Sequence, residues 1–119
     1  MLVSVTIQES GMHPWAAYVE KKSYYFDSKK ELLQTIKKHN EFDIGIMQIN
    51  SWWLKRLKLS PEEIVEVENN IMLGSWILAD CLKRYDNDLE HALSCYNTGR
   101  ITPVGKKYSK KVLAHLSNF

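Results

Sequence analysis

Caps and stops recur along this 119-residue chain at intervals that suit short helices and little else. The clearest is Ser60-Pro61-Glu62-Glu63: a capping serine, a proline at the first helical position, and a glutamate three residues after the cap. Beyond it Ile71, Met72, Ser75, Leu78, Cys81, Leu82 and Tyr85 recur at helical spacing, and Gly74 on this stripe suggests a close helix contact. Asp27 or Ser28 can cap a helix running to about Lys38, with Leu32, Leu33 and Ile36 facing inward. Asp86-Asn87-Asp88 makes a turn that either caps the next short helix or holds a cation; capping needs nothing further. The inner face of that helix is Leu89, Ala92, Leu93 and Tyr96, and Gly99 can take the positive φ of a tight exit. A last helix from about Tyr108 turns Val112, Leu116 and Phe119 inward. Tyr24-Tyr25-Phe26 is too short to decide between strand and loop. The expectation is a mainly α domain with little or no β.

A chain of this length forms one domain with a core of its own, so residues 1–119 are read as a single domain. The longest apolar stretches, Met1–Ile7 and Ile71–Leu82, are short or interrupted by Ser75 and Asp80, so no membrane span is expected. A net charge of +2 is too small to argue for nucleic acid. Lys29, Lys30, Lys37 and Lys38 share roughly one helix side, either a solvated basic face or one that attracts an acidic polymer. Met1 runs straight into the first helix with no visible signal peptide. Cys81 and Cys95 each fall in a helical apolar stripe and are taken as buried free thiols; a disulfide between packed helices is the alternative. His13, His39, His91 and His115 are scattered, so neither a metal nor a cofactor is expected.

Glu9 has a position that few carboxylates share. Ser10-Gly11-Met12-His13-Pro14 stops the helix that carries it, which leaves Glu9 in the last turn, where the macrodipole disfavours a negative charge. Apolar neighbours there would raise its pKa and keep it protonated, the state of a general acid that cleaves glycosidic bonds. The plainer reading is a surface glutamate at a helix end.

Separated segments then fall into one order. Ile7-Gln8-Glu9-Ser10-Gly11 followed by Pro14 resembles the "ES-x-x-x-P" start of the lytic transglycosylase domain, and Gly45-Ile46-Met47-Gln48-Ile49-Asn50 resembles its "GLMQI" segment. Ala92-Leu93-Ser94-Cys95-Tyr96-Asn97-Thr98-Gly99 resembles its "ALAAYNAG" segment, and Asn70 with Gly74, Ile77 and Leu78 fits the helix between them. His13-Pro14-Trp15-Ala16, Phe42-Asp43-Ile44-Gly45, Ser51-Trp52-Trp53 and Gly74-Ser75-Trp76-Ile77-Leu78 look like the subgroup attached to type III and type IV secretion systems and pilus machines. Two departures stand out. The family's leading helix is clipped here to eight residues before Glu9, and Glu68 stands where the subgroup often has a cysteine.

The resemblance implies a lysozyme-like fold, goose-type and soluble-transglycosylase-like, acting on peptidoglycan strands in the periplasm as a monomer. Glu9 would protonate the oxygen leaving N-acetylmuramic acid, the substrate's acetamido group would stabilise the anomeric carbon, and ionised Glu9 would then take the C6 hydroxyl proton as a 1,6-anhydro ring closes. Tyr96 would orient Glu9, core packing being its other reading. Gln48 and the backbone near Met47 would hold the glycan, Met47 would line the groove, Ser10 would help place the acetamido group, and Asn97 is a contact or a structural cap. Asp27, eighteen residues after Glu9, is a helix cap or a second carboxylate. Trp52 and Trp53 are core residues or sugar platforms, and Asp43 is read as a turn residue. The rivals are a goose-type-like lysozyme that lets water attack, and a non-catalytic module that binds glycan or docks on a secretion machine.

Overall fold

The computed structural model describes residues 1–98 and 102–116; the expectations for Gly99 and Phe119 lie outside these. The chain divides into two compact units, Glu9–Leu73 and a second made of Met1–Gln8 with the chain from Gly74 on. In chain order the elements are α1 (Leu2–Ser10), β1 (Ala16–Val19), β2 (Lys22–Tyr25), α2 (Lys29–Ile36), β3 (Asp43–Ile44), β4 (Ile49–Asn50), α3 (Ser51–Leu57), α4 (Pro61–Ile64), α5 (Val67–Arg84), α6 (Leu89–Thr98) and α7 (Pro103–Leu116). The described residues are mainly helical, as expected for a lysozyme-like domain, with one small sheet.

That sheet belongs to the unit Glu9–Leu73 and is antiparallel throughout, in the order β2-β1-β3-β4. Its strands are two to four residues long, too short for an alternating pattern to show in the sequence. One face is the core: Ala17, Val19, Ile44 and Ile49 are buried together with Leu32 and Ile36 of α2. The other carries a cross-strand row of Ser23, Tyr18, Asp43 and Asn50.

Local capping explains the helices of this unit. Ser60 accepts from the Glu63 N–H at 3.1 Å while Glu63 accepts from the Ser60 N–H at 3.0 Å, a complete capping box that holds the Glu63 carboxyl below its usual range. The helix it opens stops at Ile64, and α5 restarts at Val67. Ser28 alone caps α2, its hydroxyl accepting from the Glu31 N–H at 3.2 Å. Asp27 sits one residue ahead, exposed, and the cap expected of it is not made; the helix also ends at Ile36, short of Lys38. Asn50 caps α3, which Lys58 ends in the left-handed conformation. Lys29 and Lys37 pair with Glu66 and Glu62, so the basic side of α2 is partly neutralised.

In the other unit, Asp88 caps α6 by accepting from the His91 N–H at 3.1 Å, and among the described residues no cluster of ligating side chains could hold a metal. Buried Ala92, Leu93, Ser94 and Cys95 form its inner face. α7 begins at Pro103, five residues before the expected Tyr108, because Thr102 caps it: the Thr102 hydroxyl accepts from the Gly105 N–H at 2.9 Å. Thr102-Pro103 is the same cap-then-proline signal as Ser60-Pro61.

The thiol expectation is overturned here. Cys81 of α5 and Cys95 of α6 are joined in a disulfide across a Cα–Cα distance of 5.8 Å. Both are buried with Ala92, and Leu82, Tyr85 and Tyr96 pack around them. Two apolar stripes that face each other bring their cysteines into bonding range, a meeting no single stripe can reveal.

Candidate active site

The Gly45–Gln48 segment is the four-residue turn of the β3–β4 hairpin, closed by the Gln48 N–H donating to the Gly45 carbonyl at 3.0 Å. Gly45 has φ of +86° and Gln48 of +50°, so the turn needs left-handed backbone at both ends. A side chain at position 45 is excluded twice over. Besides the φ, a Cβ there would lie 2.2 Å from Asn70 Nδ2.

Asn70 is the reason this turn has a fixed shape. It is fully buried (0% exposed) in the first turn of α5. Its Oδ1 accepts from the Met47 N–H at 2.8 Å, and its Nδ2 donates to the Ile44 and Ile64 carbonyls at 2.9 Å each. Every polar atom of the amide is satisfied, as burial demands. The sequence pattern pointed to the helix carrying Asn70 and missed this role; a lone asparagine on an apolar stripe was the available signal.

A second tie comes from the helix that carries the candidate acid. Glu9 lies half-buried in the last turn of α1, and the next residue, Ser10, donates its hydroxyl to the Ile46 carbonyl at 2.7 Å. The helix stops there because Gly11 and Met12 both take positive φ, with the His13 N–H returning to the Ser10 carbonyl. Ser10 is only 2% exposed. Its hydroxyl proton therefore serves the turn.

The remaining expected residues divide by exposure. Met47 is 0% exposed, so its side chain packs inside and lines no groove. Gln48 is half-buried, and its Nε2 donates to the Ala16 carbonyl at 3.1 Å and the Gly45 carbonyl at 2.9 Å, which turns Oε1 away from both. Trp52 is 53% exposed, set edge-on to half-buried Trp53 at 4.8 Å, with Arg56 5.1 Å above its ring. Asp43 accepts from Asn50 Nδ2 at 2.9 Å, and burial pushes its carboxyl above the ordinary range against that hydrogen bond. In the other unit Tyr96 is half-buried beside the disulfide, and Asn97 is exposed on the last turn of α6. The structure thus brings Glu9, Ser10, Gln48 and Asn70 into one unit, and places Tyr96 and Asn97 in the other.

Comparison with known proteins decides the family. The family described as Transglycosylase SLT domain matches residues 1–114. The chain belongs to that family. The transglycosylase domain is 35% identical over 77 residues to "Invasion protein IagB" of Salmonella typhimurium strains SL1344 and LT2 and of Salmonella typhi. Each alignment covers 59% of this chain and 48% of the relative, so the chain spans about half the length of the curated relatives it matches. No solved structure matches it significantly. No described helix of the transglycosylase domain is long and apolar enough to cross a membrane.

Proposed function

We propose that residues 1–119 form a single catalytic domain, a peptidoglycan lytic transglycosylase that cleaves the β-1,4 bond between N-acetylmuramic acid and N-acetylglucosamine. The observation that carries this is the family match over residues 1–114, with Glu9 closing α1 beside the hydroxyl that ties the helix to the Gly45–Gln48 turn. Glu9 protonates the leaving oxygen, and the acetamido carbonyl closes on the anomeric carbon. Ionised Glu9 then removes the proton of the C6 hydroxyl, whose oxygen displaces the acetamido group. One carboxyl serves as acid and then as base, and no water is consumed. Tyr96 orients Glu9; Gln48 and Asn97 hold the glycan.

Similarity to proteins named as invasion proteins supports a place beside a secretion or pilus apparatus, where the domain would open the wall. The disulfide fits an oxidising compartment such as the periplasm. The domain acts as a monomer, without a metal or cofactor.

Sacculus digestion tests the reading. The protein should release 1,6-anhydromuropeptides by mass spectrometry, and Glu9→Gln, which keeps the shape but lacks the proton, should release none. Equal clearing by both would sink the general-acid role of Glu9, and clearing by neither would leave a non-catalytic glycan-binding or docking module. A second reading rests on Asp27, an exposed carboxylate that caps nothing. As a second catalytic carboxylate it would favour a lysozyme that admits water, and reducing ends without anhydro products would establish that reading instead.

A further inference from the structure

The β3–β4 ladder has only two residue pairs, Asp43↔Asn50 and Ile44↔Ile49. Such a short ladder gives little hold on a turn that starts at φ +86° and ends with a non-glycine residue at +50°. A left-handed residue other than glycine costs on the order of 1 kcal/mol, so something outside the hairpin must select this conformation. Two side chains do so. Ser10 reaches the Ile46 carbonyl from the end of α1, and Asn70 reaches the Met47 N–H from α5. These groups belong to the two central residues of the turn, and both tethering side chains are buried away from competing water.

We propose that Ser10 and Asn70 are positioning residues that fix the Gly45–Gln48 turn and, through it, aim Gln48 at the glycan. The proposal rests on the glycan reading above. Gln48 spends both protons of its amide on the Ala16 and Gly45 carbonyls, and those two bonds exist only while the turn holds its shape. The amide oxygen is then presented as an acceptor for an N–H or O–H of the sugar. Loss of either tether frees the central peptides to rotate, and the Gln48 oxygen loses its aim while Glu9 keeps its carboxyl. The ligand chemistry is that of an N-acetylated sugar chain donating a hydrogen bond.

The test is a binding cycle in the Glu9→Gln background, where the ligand stays intact, with tetra-N-acetylchitotetraose as probe and Kd read by calorimetry or NMR well below melting. Gln48→Ala should raise Kd roughly tenfold, the scale of one hydrogen bond. Asn70→Ala and Ser10→Ala should each do about the same, and combining either with Gln48→Ala should add little, because the tethers act through that side chain. Multiplied losses, roughly a hundredfold in the double variants, would overturn the proposal. So would tether variants that melt earlier yet bind with unchanged Kd, since that is the mark of a purely structural role. If Asn70→Ala does not fold, Ser10→Ala, which deletes one hydroxyl, decides through the same cycle. Binding by the parent with multiplied losses refutes the tethers alone, whereas absence of binding by the parent refutes the glycan reading and the tethers with it.

Discussion

Gly105 of α7 lies against Ser94 of α6 so closely that a Cβ on it would stand 2.0 Å from the Ser94 hydroxyl and 3.0 Å from the Ser94 Cα. The same hydroxyl accepts from the Thr102 N–H at 3.2 Å, and Ser109 Oγ donates to the Glu90 carbonyl at 2.6 Å further along the pair. This close approach seats α7 on the helix that carries Tyr96 and Asn97. Gly105→Ala should therefore destabilise the protein by about 1–3 kcal/mol, the usual cost of overpacking a tight contact. Chemical denaturation measures it, and an unchanged midpoint would mean that the two helices separate without cost.

The Cys81–Cys95 bond closes a loop with a sequence separation of 14. Loop-closure entropy for such a loop gives roughly 3 kcal/mol of stabilisation. The double variant Cys81→Ser, Cys95→Ser should lose about that much, and so should wild type melted in reductant. Identical melts in oxidising and reducing buffer would show that the bond contributes nothing.

Tyr96 packs beside this disulfide and is proposed to orient Glu9. Tyr96→Phe keeps the ring and removes the hydroxyl, so stability should hold while turnover on sacculi falls roughly tenfold or more. A variant that melts earlier yet keeps its full rate per folded molecule would assign Tyr96 to packing alone.

At the start of α2 the cap is Ser28 and its neighbour Asp27 is idle. Ser28→Ala should cost about 1 kcal/mol, the usual worth of a cap, whereas Asp27→Ala should leave stability unchanged. The reverse order in denaturation midpoints would restore Asp27 as the cap. Activity of the folded Asp27 variant then reports on catalysis without a stability term.

Burial holds the Asp43 carboxyl above its ordinary 3.8, and the bond from Asn50 offsets only part of this. The folded protein therefore keeps this proton more tightly than the unfolded chain. The contribution of Asp43 to stability is most favourable below pH 3.8, declines as pH rises to the raised folded value, and is level above it. Asp43→Asn keeps an oxygen for Asn50 and removes the buried charge. It should stabilise the protein at neutral pH and change little at the acid end, as urea melts at both pH values would show. A gain of equal size at both would rule out titration as the cause.

Much of this protein is written in local code. Ser60-Pro61 with Glu63, and Asp88 ahead of α6, could be read because a cap is complete within four residues of chain. Thr102-Pro103 carries the same code, and it starts α7 at Pro103, ahead of the apolar pattern that begins at Tyr108. The order of the Glu9, Gly45–Gln48 and Ala92–Asn97 segments was enough to imply the family.

What the sequence could not decide depends on partners distant along the chain. The choice between thiols and a disulfide needed two helices to be packed. The inward placement of Met47 and Ser10 needed the hairpin folded against its neighbours, with Ser10 reaching an acceptor 36 residues away. Strands of two to four residues carry too little periodicity to read, so the sheet emerged only from its pairing. Asn70 is the sharpest case. A side-chain amide on an apolar helical stripe has no local partner, and only the tertiary fold supplies the three backbone groups, from Ile44, Met47 and Ile64, that make its burial favourable.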